Sequence, residues 1–281
     1  MPDFGDTMNI NPRASSEGPP VEPVTAGTAI AKIALRSDAH AAILDRYRLD
    51  FCCGGARTLA ESCAAAGLDV SQLLTELNTA AAVRSASAVP PPDWSDRPLP
   101  ELVDHIVETH HVFTRDLLAR LEVLMSKVLG HHGERHPELA RISATLQELA
   151  AELRPHMARE ENVLFPYMRA LARKDDAPSA PPFGTVRNPV RMMMMQHDRA
   201  AELLVALQEA SGGFTVPEDA CASYAALYAG LSALRFDLLK HVSLENNVLF
   251  PRAIALENRL LARSPSGNAV HARPSLQPDR T

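Results

Sequence analysis

At 281 residues the chain is long enough for one or two domains with a true hydrophobic core. Its 28 basic and 34 acidic residues leave a net charge of −6, which argues against a nucleic-acid-binding face, and no segment approaches the ~18 consecutive apolar residues of a membrane span. Four cysteines are too few for a disulfide framework, so a reducing, cytoplasmic setting is expected, and aromatics at 5% beside abundant Ala and Leu favour helix over sheet.

In chain order, residues 1–27 are a polar run broken by Pro2, Pro12, Pro19, Pro20 and Pro23. They read as a disordered tail and lack the basic-then-apolar plan of a secretory signal. Residues 28–82 read as a small helical domain. Ser37 is placed to cap a helix carrying Ala41, Ile43, Leu44 and Tyr47, and residues 58–66 and 70–77 read as two more short helices. Between the first and second of these, Phe51-Cys52-Cys53-Gly54-Gly55 is a sharp break. Prolines 90, 91, 92, 98 and 100 make residues 83–100 a stiff linker. Four long amphipathic segments follow, at about 102–129, 137–172, 188–210 and 218–262. They are separated by His131-His132-Gly133, a loop over 175–189, and Ser211-Gly212-Gly213. The fold class is therefore all-α, with an antiparallel four-helix bundle over 101–262 preceded by the small domain. Residues 263–281 read as a second disordered tail.

Self-comparison shows a repeat. The second long segment contains His156-Met157-Ala158-Arg159-Glu160-Glu161-Asn162-Val163-Leu164-Phe165-Pro166. The fourth contains His241-Val242-Ser243-Leu244-Glu245-Asn246-Asn247-Val248-Leu249-Phe250-Pro251, in the same order 85 residues later. The first and third segments echo each other more weakly: His111 precedes Leu117-Leu118 as His197 precedes Leu203-Leu204, 86 residues later. His110 and His105 lie nearby, but only His111 keeps the repeat spacing. The pattern predicts two helix pairs related by a pseudo-two-fold axis.

Residues four apart share a helix face. His156 and Glu160 fall in the stripe Leu149, Leu153, Leu164, Leu171, and His241 and Glu245 fall in the stripe Leu234, Leu238, Leu249. Both pairs therefore face the core. A surface ion pair is the ordinary reading of one such His–Glu pair, but duplication on apolar stripes argues against it here. A buried, unpaired carboxylate is costly, and a bound cation removes the cost. Four imidazoles and two carboxylates are too many for one tetrahedral zinc. Shared between two ions, they give each ion two histidines and part of both carboxylates. Such N/O ligation suits iron, manganese or zinc, and iron is favoured because bundle-borne carboxylate and histidine sets commonly hold di-iron.

The set His111, His156-x-x-x-Glu160, His197, His241-x-x-x-Glu245 resembles a hemerythrin-like domain. Together with Asp50-Phe51-Cys52-Cys53-Gly54-Gly55, residues 28–256 resemble the repair-of-iron-centres family of bacterial di-iron proteins. The resemblance implies a cytoplasmic homodimer that repairs iron–sulfur clusters damaged by nitric oxide or peroxide. It implies two non-haem irons with His111, His156, His197 and His241 as terminal ligands and Glu160 and Glu245 as bridges. The implied partners are damaged iron–sulfur proteins and an electron donor, with neither nucleic acid nor membrane. Oxygen-carrying hemerythrins use a further histidine and an aspartate that have no match here, which argues against reversible O₂ carriage. Three functions stay open: repair by supplying iron, reduction of nitric oxide to nitrous oxide, and sensing of O₂ or nitric oxide. A sensor predicts an output domain, for which the small N-terminal unit is too short.

Other residues carry lesser expectations. Cys52 and Cys53 read from the sequence alone as structural thiols, and the resemblance adds a thiol site for transfer or redox chemistry. Cys63 and Cys221 are expected to pack as small hydrophobes. His131, His132 and His136 are expected in a solvated turn, where an accessory metal site has little support. Glu161, whose repeat counterpart is Asn246, is expected outside the ligand set but able to orient a histidine. Met192-Met193-Met194-Met195 is expected to pack the bundle.

Overall fold

The computed structural model describes residues 22–82, 92–173 and 181–263. The readings of residues 1–21 and 264–281 as tails and of 83–91 as linker lie outside the described residues. Among those described, the structure is helical apart from an isolated bridge between Ala29 and Thr58.

The small domain comprises α1 (Ile30–Ala34), α2 (Asp38–Arg46), α3 (Leu59–Ala66) and α4 (Val70–Ala82). Ser37 caps α2 by accepting from the His40 amide, and Thr58 and Glu61 form a reciprocal capping box at α3. Ile30, Ile33, Leu44, Phe51, Leu59, Leu73 and Leu77 fill its core. Helix α1 is one turn long, too short to show a period in sequence. Residues 22–27 are not a loose tail: Val24 is buried, and its amide and carbonyl are both held by the Asn78 side chain, at 2.8 and 3.1 Å.

The bundle has four arms. The first is α5 (Leu99–His105), a π-helical turn π1 (Ile106–His111) and α6 (Val112–His132). The second is α7 (Glu138–Arg159), π2 (Glu160–Leu164) and α8 (Phe165–Ala172). The third is α9 (Arg187–Ala210), and the fourth is α10 (Ala222–Leu244), π3 (Glu245–Leu249) and α11 (Phe250–Arg263). Helix α6 packs on α7 and α10, α7 on α9, and α9 on α10, closing a ring of antiparallel neighbours. The part of the expected linker within the described residues is not extended throughout, since α5 starts at Leu99 with Pro98 as its N-cap.

The core divides into two apolar layers. One holds Leu117, Leu121, Leu149, Leu153, Leu204, Leu234 and Leu238. The other holds Leu102, Ile106, Leu164, Phe165, Met193, Leu249 and Phe250. The second layer is closed at its far side by Glu257, a buried carboxylate that accepts from Tyr167 Oη at 2.7 Å, Thr185 Oγ1 at 2.5 Å and the Val186 amide at 2.9 Å. Its burial is tolerated because its oxygens are satisfied.

The small domain sits on the α10–π3 arm. Phe236 and Leu239 pack on its core, Arg235 pairs with Asp45, and Lys240 Nζ lies 2.6 Å from Asp38. Gly55 allows the closest approach: a Cβ there would lie 2.5 Å from Asn247 Oδ1 and 2.7 Å from the Phe51 carbonyl.

Candidate metal centre

Between the two apolar layers the four arms bring together His111, His156, His197, His241, Glu160 and Glu245, each at most 3% exposed. They form two groups, His111–His241 and His156–His197, and both carboxylates belong to both groups. Within each group the ligand atoms lie within 4.8 Å of one another.

The protonation pattern fits a cation at each group. His111 Nδ1 lies 2.7 Å from Glu161 Oε1, His156 Nδ1 3.0 Å from Gln196 Oε1, and His197 Nδ1 2.9 Å from Asn246 Oδ1. These oxygens are acceptors, so each Nδ1 carries the hydrogen and each Nε2 presents a lone pair. Yet His156 and His197 point their Nε2 atoms at each other across 3.2 Å, and so do His111 and His241. Both oxygens of Glu160 and of Glu245 are buried without a hydrogen-bond partner. Facing lone pairs and orphaned carboxylates repel unless a proton or a metal ion lies among them.

Without an ion, protons take that place. Burial lowers the pKa of His156, but the charge of Glu160, whose Oε2 lies 3.3 Å from Nε2, helped by Glu245, overcomes it and raises the pKa to about 9. His111 is raised on the same balance, chiefly by Glu160. His241 is lowered, because burial outweighs the attraction of Glu245. Burial pushes Glu245 up, yet His241 and His197 hold it well below the usual carboxylate range. Glu160 is likewise lowered, with burial and the charge of Glu245 outweighed by His156 and His111.

The repeated motif now has a role at nearly every position. Glu160 and Glu245 enter the cluster at the start of a π turn, where Phe165 N–H donates to Glu160 O and Phe250 N–H to Glu245 O, five residues back. The following prolines lack an amide hydrogen and so do not restore the tighter ladder. Asn162 and Asn247 carry the carbonyls four residues before them, Ala158 at 2.6 Å and Ser243 at 3.0 Å. Glu161 and Asn246, each next to a cluster glutamate, orient the histidine of a neighbouring arm. Phe165 stacks on His111 and Phe250 on His197, with centroids 5.8 and 5.9 Å apart. The symmetry breaks at one ring. Gln196 orients His156, whereas its counterpart His110 stacks on His241 at 5.4 Å and turns its own Nδ1 to Asp237 at 2.9 Å. His241 Nδ1 is left without a partner.

The second copy of the motif also holds the thiol loop. Ser243 Oγ donates to the Phe51 carbonyl at 3.2 Å, and Asn246 and Asn247 donate to the Cys52 carbonyl at 3.3 and 3.2 Å. Asp50 shapes this loop by accepting from the amides of Cys52, Cys53 and Gly54 at 3.2, 2.9 and 2.9 Å. Cys52 is buried and Cys53 half-buried, and both are free thiols, with sulfurs 3.7 Å apart. The hydrogen bond to Cys53, burial and the charges nearby raise the Cys52 pKa and keep its proton on. Cys52 lines a cavity of about 20 Å³ that also touches His156, Gln196, His197 and His241, room for one water-sized molecule. It also lines a groove of about 740 Å³ with Asp50, Cys53, Arg48, Asp198 and Glu202. Cys52 thus stands in the wall between the groove and the His–Glu layer.

Some expectations change. Of the four consecutive methionines only Met193 is buried, because a helix turns the other three outward. Cys63 is buried as expected, but Cys221 is an exposed residue preceding α10. His132 is not solvated: it ends α6 at 6% exposure, covered by residues distant in sequence. The orienting roles of Gln196 and Asn246 were not read from the sequence, although each adjoins a cluster ligand position.

A profile described as the hemerythrin HHE cation binding domain matches residues 102–253, and one described as ScdA_N, a domain of unknown function (DUF542), matches residues 26–81. The iron–sulfur cluster repair proteins YtfE of Escherichia coli O1:K1, E. coli strain SMS-3-5 and Escherichia fergusonii are each 34% identical to the chain over 228 residues, which cover 81% of this chain and 97% of the relative. With a cation-binding bundle over half its length and relatives matched almost end to end, the chain belongs to the hemerythrin-like family of iron–sulfur cluster repair proteins that join this bundle to an N-terminal DUF542 domain.

Proposed function

We propose that this protein repairs iron–sulfur clusters damaged by nitrosative or oxidative stress, and that it does so by supplying iron from a di-iron centre. One observation carries the reading: two His₂ groups share the same two buried, partnerless carboxylates. His111 and His241 would hold one ion, His156 and His197 the other, with Glu160 and Glu245 common to both. Iron there would supply one-electron redox chemistry and a releasable ion. With two histidines and shared carboxylates, the donor set is lean, which suits release. Cys52 and Cys53 are the proposed thiol site, in the wall between the centre and the groove, where an iron ion in transit would displace a thiol proton to gain a soft sulfur donor.

The client is a damaged iron–sulfur protein, and the chain acts as a cytoplasmic homodimer with an electron donor. No helix among the described residues is long and apolar enough to cross a membrane.

The test is to load the protein with ⁵⁷Fe and mix it with a [4Fe–4S] dehydratase inactivated by nitric oxide. Recovery of dehydratase activity with the label in its cluster supports donation. Consumption of nitric oxide over many turnovers with all label retained supports the second reading, a nitric oxide reductase, for which the small cavity beside His156 and His241 would admit one small molecule at a time.

A further inference from the structure

The end of the bundle remote from the His–Glu layer carries a second group of metal-ligating side chains. His111 precedes α6 and His132 closes it, so 21 helical residues separate the two ends, about 30 Å at 1.5 Å per residue. His132 and His136 are four apart across the end of α6, where the His136 amide donates to the His132 carbonyl at 2.9 Å. From the facing side, the loop between α9 and α10 supplies Asp219 and Cys221. His132, His136 and Asp219 each offer a ligand atom within 4.8 Å of the others. Cys221 Sγ lies 3.3 Å from His132 Nε2.

Three features make this a prepared site. Tyr224, itself fully buried, stands against both imidazoles with ring centroids 5.3 and 5.4 Å away and fixes their planes. His132 is 6% exposed, so its ring is held in place with Nε2 turned to Cys221. Asp219 and Cys221 are exposed and His136 is half-buried, so an ion can reach the group from solvent.

We propose that His132, His136, Asp219 and Cys221 form a second metal site, distinct from the His–Glu layer, that takes one zinc-like divalent transition-metal ion. Two imidazoles, one carboxylate and one thiolate make a four-coordinate N/O/S donor set of the kind zinc favours. The spacings His-x-x-x-His and Asp-x-Cys supply it as two local pairs, one from each loop. The occupant would clasp the α6–α7 turn to the α9–α10 loop and stay in place while iron leaves the other centre. Binding replaces two protons. His136 Nδ1 faces Glu138 at 2.9 Å and its Nε2 faces Asp219 at 3.0 Å, so the metal displaces the proton between His136 and Asp219. The second proton is that of the Cys221 thiol, whose Sγ lies 3.3 Å from His132 Nε2.

The test is titration of the full-length, iron-loaded protein with Co²⁺. One equivalent per chain should bind with four-coordinate visible bands and a thiolate-to-cobalt band in the near-ultraviolet, which the all-N/O ligands of the His–Glu layer cannot give. Cys221→Ser should abolish the thiolate band. Asp219→Asn, at an exposed position, should weaken Co²⁺ binding about ten-fold or more with far-ultraviolet circular dichroism unchanged. The double variant Cys52→Ser/Cys53→Ser should leave the band intact. The proposal is overturned by absence of the extra equivalent, by a six-coordinate spectrum without thiolate, or by a band that survives Cys221→Ser and is lost with Cys52 and Cys53.

Discussion

His197 Nδ1 and Asn246 Oδ1 lie 2.9 Å apart, and the amide nitrogen of the same Asn246 lies 3.3 Å from the Cys52 carbonyl. One side chain therefore orients an imidazole of the His–Glu cluster and holds the thiol loop. Asn246→Leu should lose both functions. Affinity for one of the two ions should fall about 10–100-fold, the usual cost of removing a partner that orients a ligand, and amide hydrogen exchange over residues 51–53 should rise. Asn246→Asp keeps an acceptor for His197 but loses the donor to Cys52, so it should spare the affinity and still raise the exchange.

Glu160 and Glu161 are adjacent and should behave differently. Glu160→Leu removes a carboxylate shared by both groups and should cost at least one ion per chain. Glu161→Leu removes the partner that His111 Nδ1 shares with Arg115. It should keep metal content at saturating iron while lowering affinity for the ion beside His111 and His241. Metal analysis before and after dialysis against a weak chelator separates the two.

The pH dependence of the metal-free protein follows from His156. Its folded pKa of about 9 exceeds its ordinary value of 6.5. The folded state then binds more protons than the unfolded state between those values, so stability falls as pH rises. The contribution is fully present below pH 6.5 and lost as pH passes through about 9. Metal and proton compete for the same nitrogen, so metal affinity should rise over the same window. Thermal melts of metal-free and loaded protein at pH 6, 7.5 and 9 check both: the metal-free protein should lose melting temperature steadily, and the gap to the loaded form should widen.

Gly55→Ala puts a methyl 2.5 Å from Asn247 Oδ1 and 2.6 Å from the Ala31 side chain. Overpacking of this kind costs about 1–3 kcal/mol. Here it should appear as loosening of the small domain, read as faster proteolysis or exchange over residues 29–60, with metal content retained.

The bundle arms and the six clustered side chains were legible in the sequence because both depend on local spacing. His156 with Glu160 and His241 with Glu245 are one turn apart within apolar stripes, and duplication separates them from surface ion pairs. The π turns were not legible, because hydrophobic periodicity does not register one extra residue in a turn; the twice-repeated Glu, Asn and Pro mark π2 and π3, and π1 lacks even that sign. His132 and Cys221 were misread for a different reason. His132 sits in a stretch that reads as a solvated turn, Cys221 in one that reads as helix from 218 although the helix starts at Ala222, and their contact joins segments 89 residues apart. Gln196 likewise looks like an ordinary polar helix residue until the fold places it on His156.

The proposed di-iron centre rests on His111, His156, His197, His241, Glu160 and Glu245. The most direct measurement is the metal content and Mössbauer spectrum of protein produced with ⁵⁷Fe and purified without oxygen. A di-iron centre gives about two irons per chain in N/O surroundings, magnetically coupled through the shared carboxylates after oxidation. Zinc in those positions, or a folded helical protein holding no more than one ion there, would contradict it.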